Sequence, residues 1–500
     1  MPEKILVGPL LGIESNTLYT VCVLMRQGVG AVTVKIGDVS VDAVVVGSVV
    51  SGDLWRAELD TAPGQKGKAV EYSVLVEGET ASDSHTRDRW TFYVPGKDED
   101  PRIAYTSCNG FSSRDLMART EEPYCLWDRL AESHFEQNDE NLPFSLLIMG
   151  GDQLYADDVW DRVPALEEWS TLNRKKRTKR KATLGMIRQL DRFYDEIYRS
   201  RWSHKSMSLM LASVPSVMMW DDHDIFDGWG SYPEEIQSCN VYQAIYESAR
   251  KHFELFQIRS RQNKSLLDSG ASHCAFGFSF RGYYVLGLDN RSQRTRSQIM
   301  AADQWAKVID FLENATESQD LIVMSAVPVV YRDFSLTESA FDVTPWEEEL
   351  TDDLKDHWRA NEHQGERARL IMRLLDSSRR RMKDHSTRTI ILSGDVHLGC
   401  LGVINDRRSD ALHQVHQVVS SGIVHPPPSR IQWLGIMAVT NDRTEYLNET
   451  GTVEIRILCP FGSPKYIRSR NYVTLQKGSD QKLWISWECE SDDKPEYPLV

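Results

Sequence analysis

No stretch of this 500-residue chain approaches the roughly 20 consecutive apolar residues that a membrane-spanning helix needs, so no transmembrane segment is expected. The opening residues, Met1 to Glu14, lack a basic leader followed by an uninterrupted apolar core. No export signal is therefore expected, and a cytoplasmic protein is; nuclear import or a trimmed secreted form is also compatible. Cysteine is scarce, with eight residues and no zinc-finger spacing, and Cys22, Cys239, Cys274, Cys459 and Cys489 read as reduced packing thiols. Positive charge is in deficit, 58 Lys and Arg against 73 Asp and Glu, and the net charge of -15 argues against bulk attraction to nucleic acid or anionic membranes. Solenoid-type repeats are absent. The chain does have an ordinary globular composition, 41% hydrophobic and 26% charged. Its length exceeds what one core usually serves, so at least two domains are expected.

Residues 1–95 carry short β-like segments bounded by Gly, Asp and Ser, at Tyr19–Met25, Ala31–Ile36, Ala43–Val50, Leu54–Leu59, Val70–Val76 and Trp90–Val94. That spacing predicts a small all-β sandwich domain. Residues 96–101, polar with Gly and Pro, read as a linker. From Arg102 to residue 500 short apolar runs alternate with helical patterns such as Gly185–Tyr198, Gln298–Leu312 and Glu366–Met382, the texture of a layered α/β domain.

Four of the apolar runs end in potential metal ligands. Ile103–Tyr105 leads to Cys108 and Asn109, and Leu146–Met149 leads through two glycines to Asp152 and Tyr155. Val217–Trp220 leads to Asp221-Asp222-His223-Asp224, and Ile390–Leu392 leads to Asp395-Val396-His397. One Asp after one strand is an ordinary turn residue. Four such endings, two pairing Asp with His, predict that separate strands deliver ligands to one site at their carboxyl ends. Asp152 can serve two cations, one per carboxylate oxygen, and Tyr155 can add a phenolate. Asp157, Asp158 and Asp161 follow, either completing an oxygen-rich site or capping the next helix. Asp222 is the metal candidate of its cluster, Asp227 a further one, and His223 suits proton donation to a leaving oxygen. Gly228 and Gly230 would keep this loop thin. The Asp395-x-His397 spacing puts both side chains on one side of an extended segment.

Two features stand apart. Arg174–Lys181 holds seven cations in eight residues; it reads as a solvated insertion loop, a collar for polyanionic substrates or a nuclear-localisation patch. Insertions at 158–200 and 330–365 are expected to shape the pocket, with Trp346, His357, Trp358 and His363 lining its mouth, belonging to a mobile lid or packing at the surface.

With these residues assembled, the chain resembles the PhoD-like alkaline phosphatases, relatives of the calcineurin-like metallophosphoesterases. The resemblance rests on Ser107-Cys108-Asn109, Gly151-Asp152-Gln153-Leu154-Tyr155-Ala156-Asp157, Trp220-Asp221-Asp222-His223-Asp224, Leu288-Asp289-Asn290-Arg291 and Ser393-Gly394-Asp395-Val396-His397, across most of residues 102–500. It implies a layered metallophosphoesterase-type β core flanked by helices and preceded by a small β sandwich. It implies Fe³⁺ at Cys108 and Tyr155, with Asp152 between metals. Asp161, Asp227, Asp395 and His397 would hold Ca²⁺ or complete the site; Mg²⁺, Mn²⁺ or Zn²⁺ are the alternatives. Arg291, with Arg294, would grip a phosphate through its planar donor fork. The chain departs from the wider pattern in lacking Asp-x-His at the first strand, in Asp222 for the usual Asn, and in Asp395 for a His. Those changes favour hard cations over a di-zinc site.

The expected activity is metal-dependent phosphoester hydrolysis by a metal-activated water or oxo nucleophile, with Asp152, His223 and Arg291 as catalytic residues. The substrate is expected to be a phosphorylated small molecule or lipid. The alternative is a catalytically silent binding or scaffold protein on the same fold. Monoester or diester preference and oligomeric state are not legible in the sequence.

Overall fold

A computed structural model of the protein describes residues 4–136, 142–333, 358–382, 387–409 and 411–500. Two large sheets face one another. The first has ten strands in the order Glu496–Leu499, Leu483–Cys489, Asn471–Lys477, Arg102–Thr106, Phe144–Gly150, Ser216–Met219, Val7–Ile13, Leu18–Met25, Asp53–Asp60 and Val44–Ser48. Arg102–Thr106, Phe144–Gly150 and Ser216–Met219 run parallel at its centre, so their carboxyl ends open on the same side. The second sheet is built around Tyr283–Gly287, Asp320–Met324, Thr389–Ser393 and His413–Val419, also mutually parallel.

Burial on both faces explains why these strands read as continuous apolar runs rather than alternating ones. Ile103, Tyr105, Leu146, Ile148, Val217 and Met219 point inward and meet Ile322, Met324, Ile390 and Leu392 of the facing sheet. The intervening Leu147, Met149 and Met218 point outward under a helical layer that includes Trp127, Phe193, Ile245 and Phe253. On the other side Leu321, Val323 and Ile391 pack against Val308, Leu370 and Leu374. The result is the expected layered β core flanked by helices.

The helices follow from local rules. Leu184–Trp202 is capped by Thr183, whose side chain accepts from the Met186 amide. It buries Met186, Leu190, Phe193, Tyr194, Ile197 and Tyr198 at three- and four-residue spacing. Asn240–Phe256 packs beside it, with Phe253 stacked on Trp220 at 4.2 Å between centroids, and so braces the strand end that carries the acidic cluster.

Residues 4–95 hold strands and no helix, as the turn spacing predicts, and the strands divide between two sheets. Val32–Ile36, Val39–Asp42, Lys68–Val76, Glu79–Thr80 and Trp90–Val94 form a five-stranded sheet. Its Val34, Val74 and Phe92 face Val21, Val23 and Leu59 of the ten-stranded sheet. Val7–Ile13 pairs in parallel with Ser216–Met219, so this β region continues the central sheet by hydrogen bonding. That strand is invisible to pattern reading because Gly8, Pro9 and Gly12 interrupt its apolar residues.

Candidate metal centre

The four ligand-bearing strand ends meet between the two sheets. Three belong to the ten-stranded sheet, and the fourth, Thr389–Ser393, reaches the cluster from the facing one. Close approach depends on glycine. A Cβ on Gly394 would lie 2.3 Å from the Ser107 side chain, and one on Gly151 would lie 3.1 Å from both Ala326 and Asp221. Cys108, Asp152, Asp395 and His397 all have positive φ, at 51°, 53°, 68° and 52°. Such conformations are uncommon outside glycine and concentrate at functional sites. Backbone bonds hold them: Cys108 donates to the Gly151 carbonyl (3.2 Å), Asn109 to that of Asp152 (2.8 Å) and His425 to that of Cys108 (3.1 Å).

Ligand atoms converge in three overlapping groups, the atoms of each within 4.8 Å of one another: Cys108, Asp152 and His397; Asp152, Asp222 and His223; and Asp221, Asp222 and Asp395. Asp152 belongs to the first two and Asp222 to the last two. The donor sets differ in character. Sulfur, nitrogen and oxygen meet in the first, which suits a transition metal; the third offers carboxylates alone, which suits a hard cation.

The electrostatics fit bound cations. Asp152 is buried, and its Oδ1 has no hydrogen-bond partner. Burial, reinforced by Asp221, Asp222 and Asp224, pushes its carboxyl well above the usual range. Burial likewise pushes the Cys108 thiol and the Tyr155 phenol up, with Asp152 adding to both. Burial and the neighbouring His425 and His223 hold His397 well below its ordinary value, in the neutral form that ligates metal. So many anionic donors out of water are costly unless cations compensate them.

His223 is held from behind. Its Nδ1 bonds Asp157 Oδ2 at 2.8 Å, leaving Nε2 for the site, and its ring stacks on Tyr155 at 4.4 Å. Burial opposes its charge, yet Asp157, Asp222 and Asp152 together hold its pKa well above the ordinary value. Asp157 thus orients His223, and its other oxygen accepts the Asp227 amide at 2.8 Å. Tyr155 reaches both Asp152 Oδ2 (3.4 Å) and His397 Nε2 (3.0 Å). Asp224 is a scaffold residue. It accepts from the amides of Asp221, Gln153 and Leu154 and from Gln257, although burial still lifts its carboxyl to about 7.

Of the other expected residues, Arg291 lies against the ligand groups and the rest lie outside them. Arg291 is fully buried, bonded to Asp221 and Asp222 and donating to the Trp229 carbonyl at 3.0 Å. Its fork therefore braces the acidic strand end that carries Asp221 and Asp222. Arg294 is also buried and packs over Gly230, where a Cβ would lie 2.7 Å from its side chain. That contact and its φ of 100° both favour glycine at position 230. Asp161 is exposed on the short helix Val159–Arg162, and neither it nor Asp227 belongs to a ligand group among the described residues. Trp358 and His363 are buried, Trp358 donating to Ser325 Oγ at 3.1 Å; Trp346 and His357 lie outside the described residues.

Two site residues escaped the sequence reading. Asp221 joins Asp222 and Asp395, and being adjacent to Asp222 it offered no separate signal. His425 stacks on His397 with centroids 3.6 Å apart. Its only signal was a His shortly after the strand His413–Val419, just before Pro426-Pro427-Pro428.

Among known proteins, the profile of the family described as PhoD related phosphatase matches residues 80–346 and 343–456, and the chain belongs to that family. A curated relative, the uncharacterized protein YGR266W of Saccharomyces cerevisiae, is 26% identical over 428 residues, covering 73% of this chain. The match spans only 58% of that relative's length. Among solved structures, one of PhoD superposes with a TM-score of 0.56 at 13% identity, covering 100% of this chain and 92% of the other. The purple acid phosphatase PPD1 from seeds of yellow lupin (Lupinus luteus) gives a TM-score of 0.50 at 11% identity, covering 98% and 74% respectively. At these identities the structural likenesses concern the fold. No helix among the described residues is long and apolar enough to cross a membrane.

Proposed function

We propose that this member of the PhoD-related phosphatase family hydrolyses phosphoesters at the centre just described, with more than one cation bound. The observation that carries this reading is the convergence of buried Cys108, Asp152 and Asp222 with half-buried Asp395 and His397 around shared ligand positions. Asp152 would be shared between two cations, one held with Cys108, His397 and Tyr155 and one with Asp222. Asp221 and Asp395 would complete a hard, oxygen-lined position. Fe³⁺ suits the first and Ca²⁺ the last, with Mg²⁺, Mn²⁺ or Zn²⁺ as alternatives.

When bound, such cations polarise the phosphoryl oxygens and supply a nucleophile at neutral pH. The chain's own residues do the rest. His223, charged and oriented by Asp157, presents Nε2 to a departing oxygen and donates its proton there. Arg291 holds Asp221 and Asp222 in place, offsetting their mutual repulsion. His425 and Tyr155 wall the His397 side with stacked rings and fix that imidazole's plane. To test the reading, metal content is measured on natively purified protein, followed by a panel of phosphomonoesters and phosphodiesters. Hydrolysis that tracks metal occupancy supports it; a fully metal-loaded chain inert across the panel favours a silent scaffold.

A further inference from the structure

We propose that the segment Asn173–Arg188 is a docking surface for an anionic lipid bilayer, a role separate from the metal centre. It carries eight cations and no acidic residue, within a chain whose net charge is -15. Arg174 is paired with Glu235 at 3.5 Å, both side chains more than 60% exposed. Lys175, Lys176, Lys179, Arg180 and Lys181 are exposed and have no ion-pair partner among the described residues. The chain's overall negative charge does not oppose docking at contact, because screening at physiological salt confines fields to about 8 Å.

A second observation turns a polyanion-binding patch into a lipid-binding one. Directly after the cations, Leu184 is 74% exposed and Ile187 37%, on the outer face of the helix Leu184–Trp202. Met186 and Leu190 of the same turns point into the core. The amphipathic pattern of this helix thus accounts for Met186 and Leu190 and leaves Leu184, and in part Ile187, facing solvent beside Arg188. Cations flanking exposed aliphatic side chains match a bilayer interface, where the former meet anionic headgroups and the latter enter the acyl boundary. A nucleic acid or a soluble polyphosphate would use the cations and leave the aliphatic pair in water.

The segment is also tied to the metal centre. Trp169 donates to the Arg177 carbonyl at 3.3 Å and lies under the Arg177 guanidinium. It stacks on Trp160 (6.2 Å), which meets Phe226 edge-on at 5.1 Å, and the Phe226 amide donates to the Asp222 carbonyl at 2.7 Å. Docking would therefore act on a segment linked by packed rings to the loop that carries Asp222. Any effect on turnover rests on the hydrolase reading; the docking itself does not.

The test is co-sedimentation of the full chain with vesicles of phosphatidylcholine alone or of phosphatidylcholine with phosphatidylserine, at low and physiological salt. The expected result is binding to the anionic vesicles, weakening with salt. The variant Lys175→Glu/Lys176→Glu/Lys179→Glu/Arg180→Glu should lower partitioning by at least about fivefold per cation. Leu184→Ser/Ile187→Ser should also lower it, by at least about tenfold. All four lysine and arginine positions and both aliphatic ones are exposed, so melting temperature and hydrolysis of a soluble phosphoester should stay at wild-type levels. Failure of the wild type to bind anionic vesicles would overturn the proposal. So would full binding by the charge-reversed variant. Unchanged binding by the Leu184→Ser/Ile187→Ser variant would also overturn it, and would identify a general polyanion site such as one for nucleic acid. Because sedimentation needs no turnover, an inactive protein that binds vesicles would count against the hydrolase reading alone.

Discussion

Replacing Asp157 with Asn probes the part of the centre that sits behind its metal ligands. Asp157 Oδ2 lies 2.8 Å from His223 Nδ1, and both side chains are largely buried, at 16% and 13% exposure. Two opposite unit charges at that separation interact by about 6 kcal/mol at an effective dielectric of about 20. That figure is a ceiling, since Asp222 and Asp152 also favour the charge on His223. Hydrogen bonds involving a charged partner are worth about 1.5–3 kcal/mol net. If His223 carries its proton to the leaving oxygen, that loss appears in the transition state as a fall in kcat of about 10- to 160-fold. The Asp227 amide keeps its acceptor at Oδ1, so the loop should hold its shape. The assay is steady-state hydrolysis of the best substrate, with metal content measured on the same preparation. A lower kcat with KM and metal content near wild type is expected. Unchanged kcat would refute the role given to the pair, and loss of metal in parallel would show that Asp157 serves the ligand cluster instead.

Gly394→Ala should force the facing sheets apart at the centre, because the new Cβ would lie 2.3 Å from Ser107 and 3.5 Å from Cys108 Sγ. A stability loss of about 1–3 kcal/mol with reduced metal content is expected from thermal melts and metal analysis, and wild-type values in both would contradict the close approach. Stability should also fall in mild acid. Burial lowers His134 and His416 to about 4, with Arg102 adding to the effect at His134, whose Nδ1 accepts the Phe144 amide. Both imidazoles are neutral in the fold and protonate more readily when unfolded. Their contribution is therefore full above the unfolded value near 6.5 and is lost as pH falls toward 4, at about 1.4 kcal/mol per pH unit for each. Urea midpoints across that window should drop, and His134→Gln/His416→Gln should flatten the slope; an unchanged slope in the variant would reject the assignment.

The strand ends were legible because strands buried on both faces appear as apolar runs, and a ligand within a few residues of such an end has little freedom over where it goes. Cys108, Asp152, Asp222, Asp395 and His397 were singled out that way, and their ligand atoms do converge. Periodicity carries no sign of which sheet a buried strand joins, so the approach of Thr389–Ser393 from the facing layer was not readable. The parallel pairing of Val7–Ile13 with Ser216–Met219 links residues some two hundred positions apart, and no local signal encodes it. Arg291 and Asp157 show a second limit. A residue type suggests a chemistry, but whether its fork faces the substrate or braces a ligand depends on packing, and here packing turns Arg291 inward. His425 sits beyond its strand by a loop, and only the fold brings it against His397.

The central claim, that buried ligands shared through Asp152 hold the cations on which hydrolysis depends, is tested most directly by Asp152→Asn. Metal stoichiometry and phosphoester hydrolysis are measured on one folded preparation, with its melting curve as the control for folding. The expected result is more than one cation per wild-type chain, fewer in the variant, and hydrolysis reduced by orders of magnitude. A folded variant with wild-type metal content and wild-type turnover would contradict it.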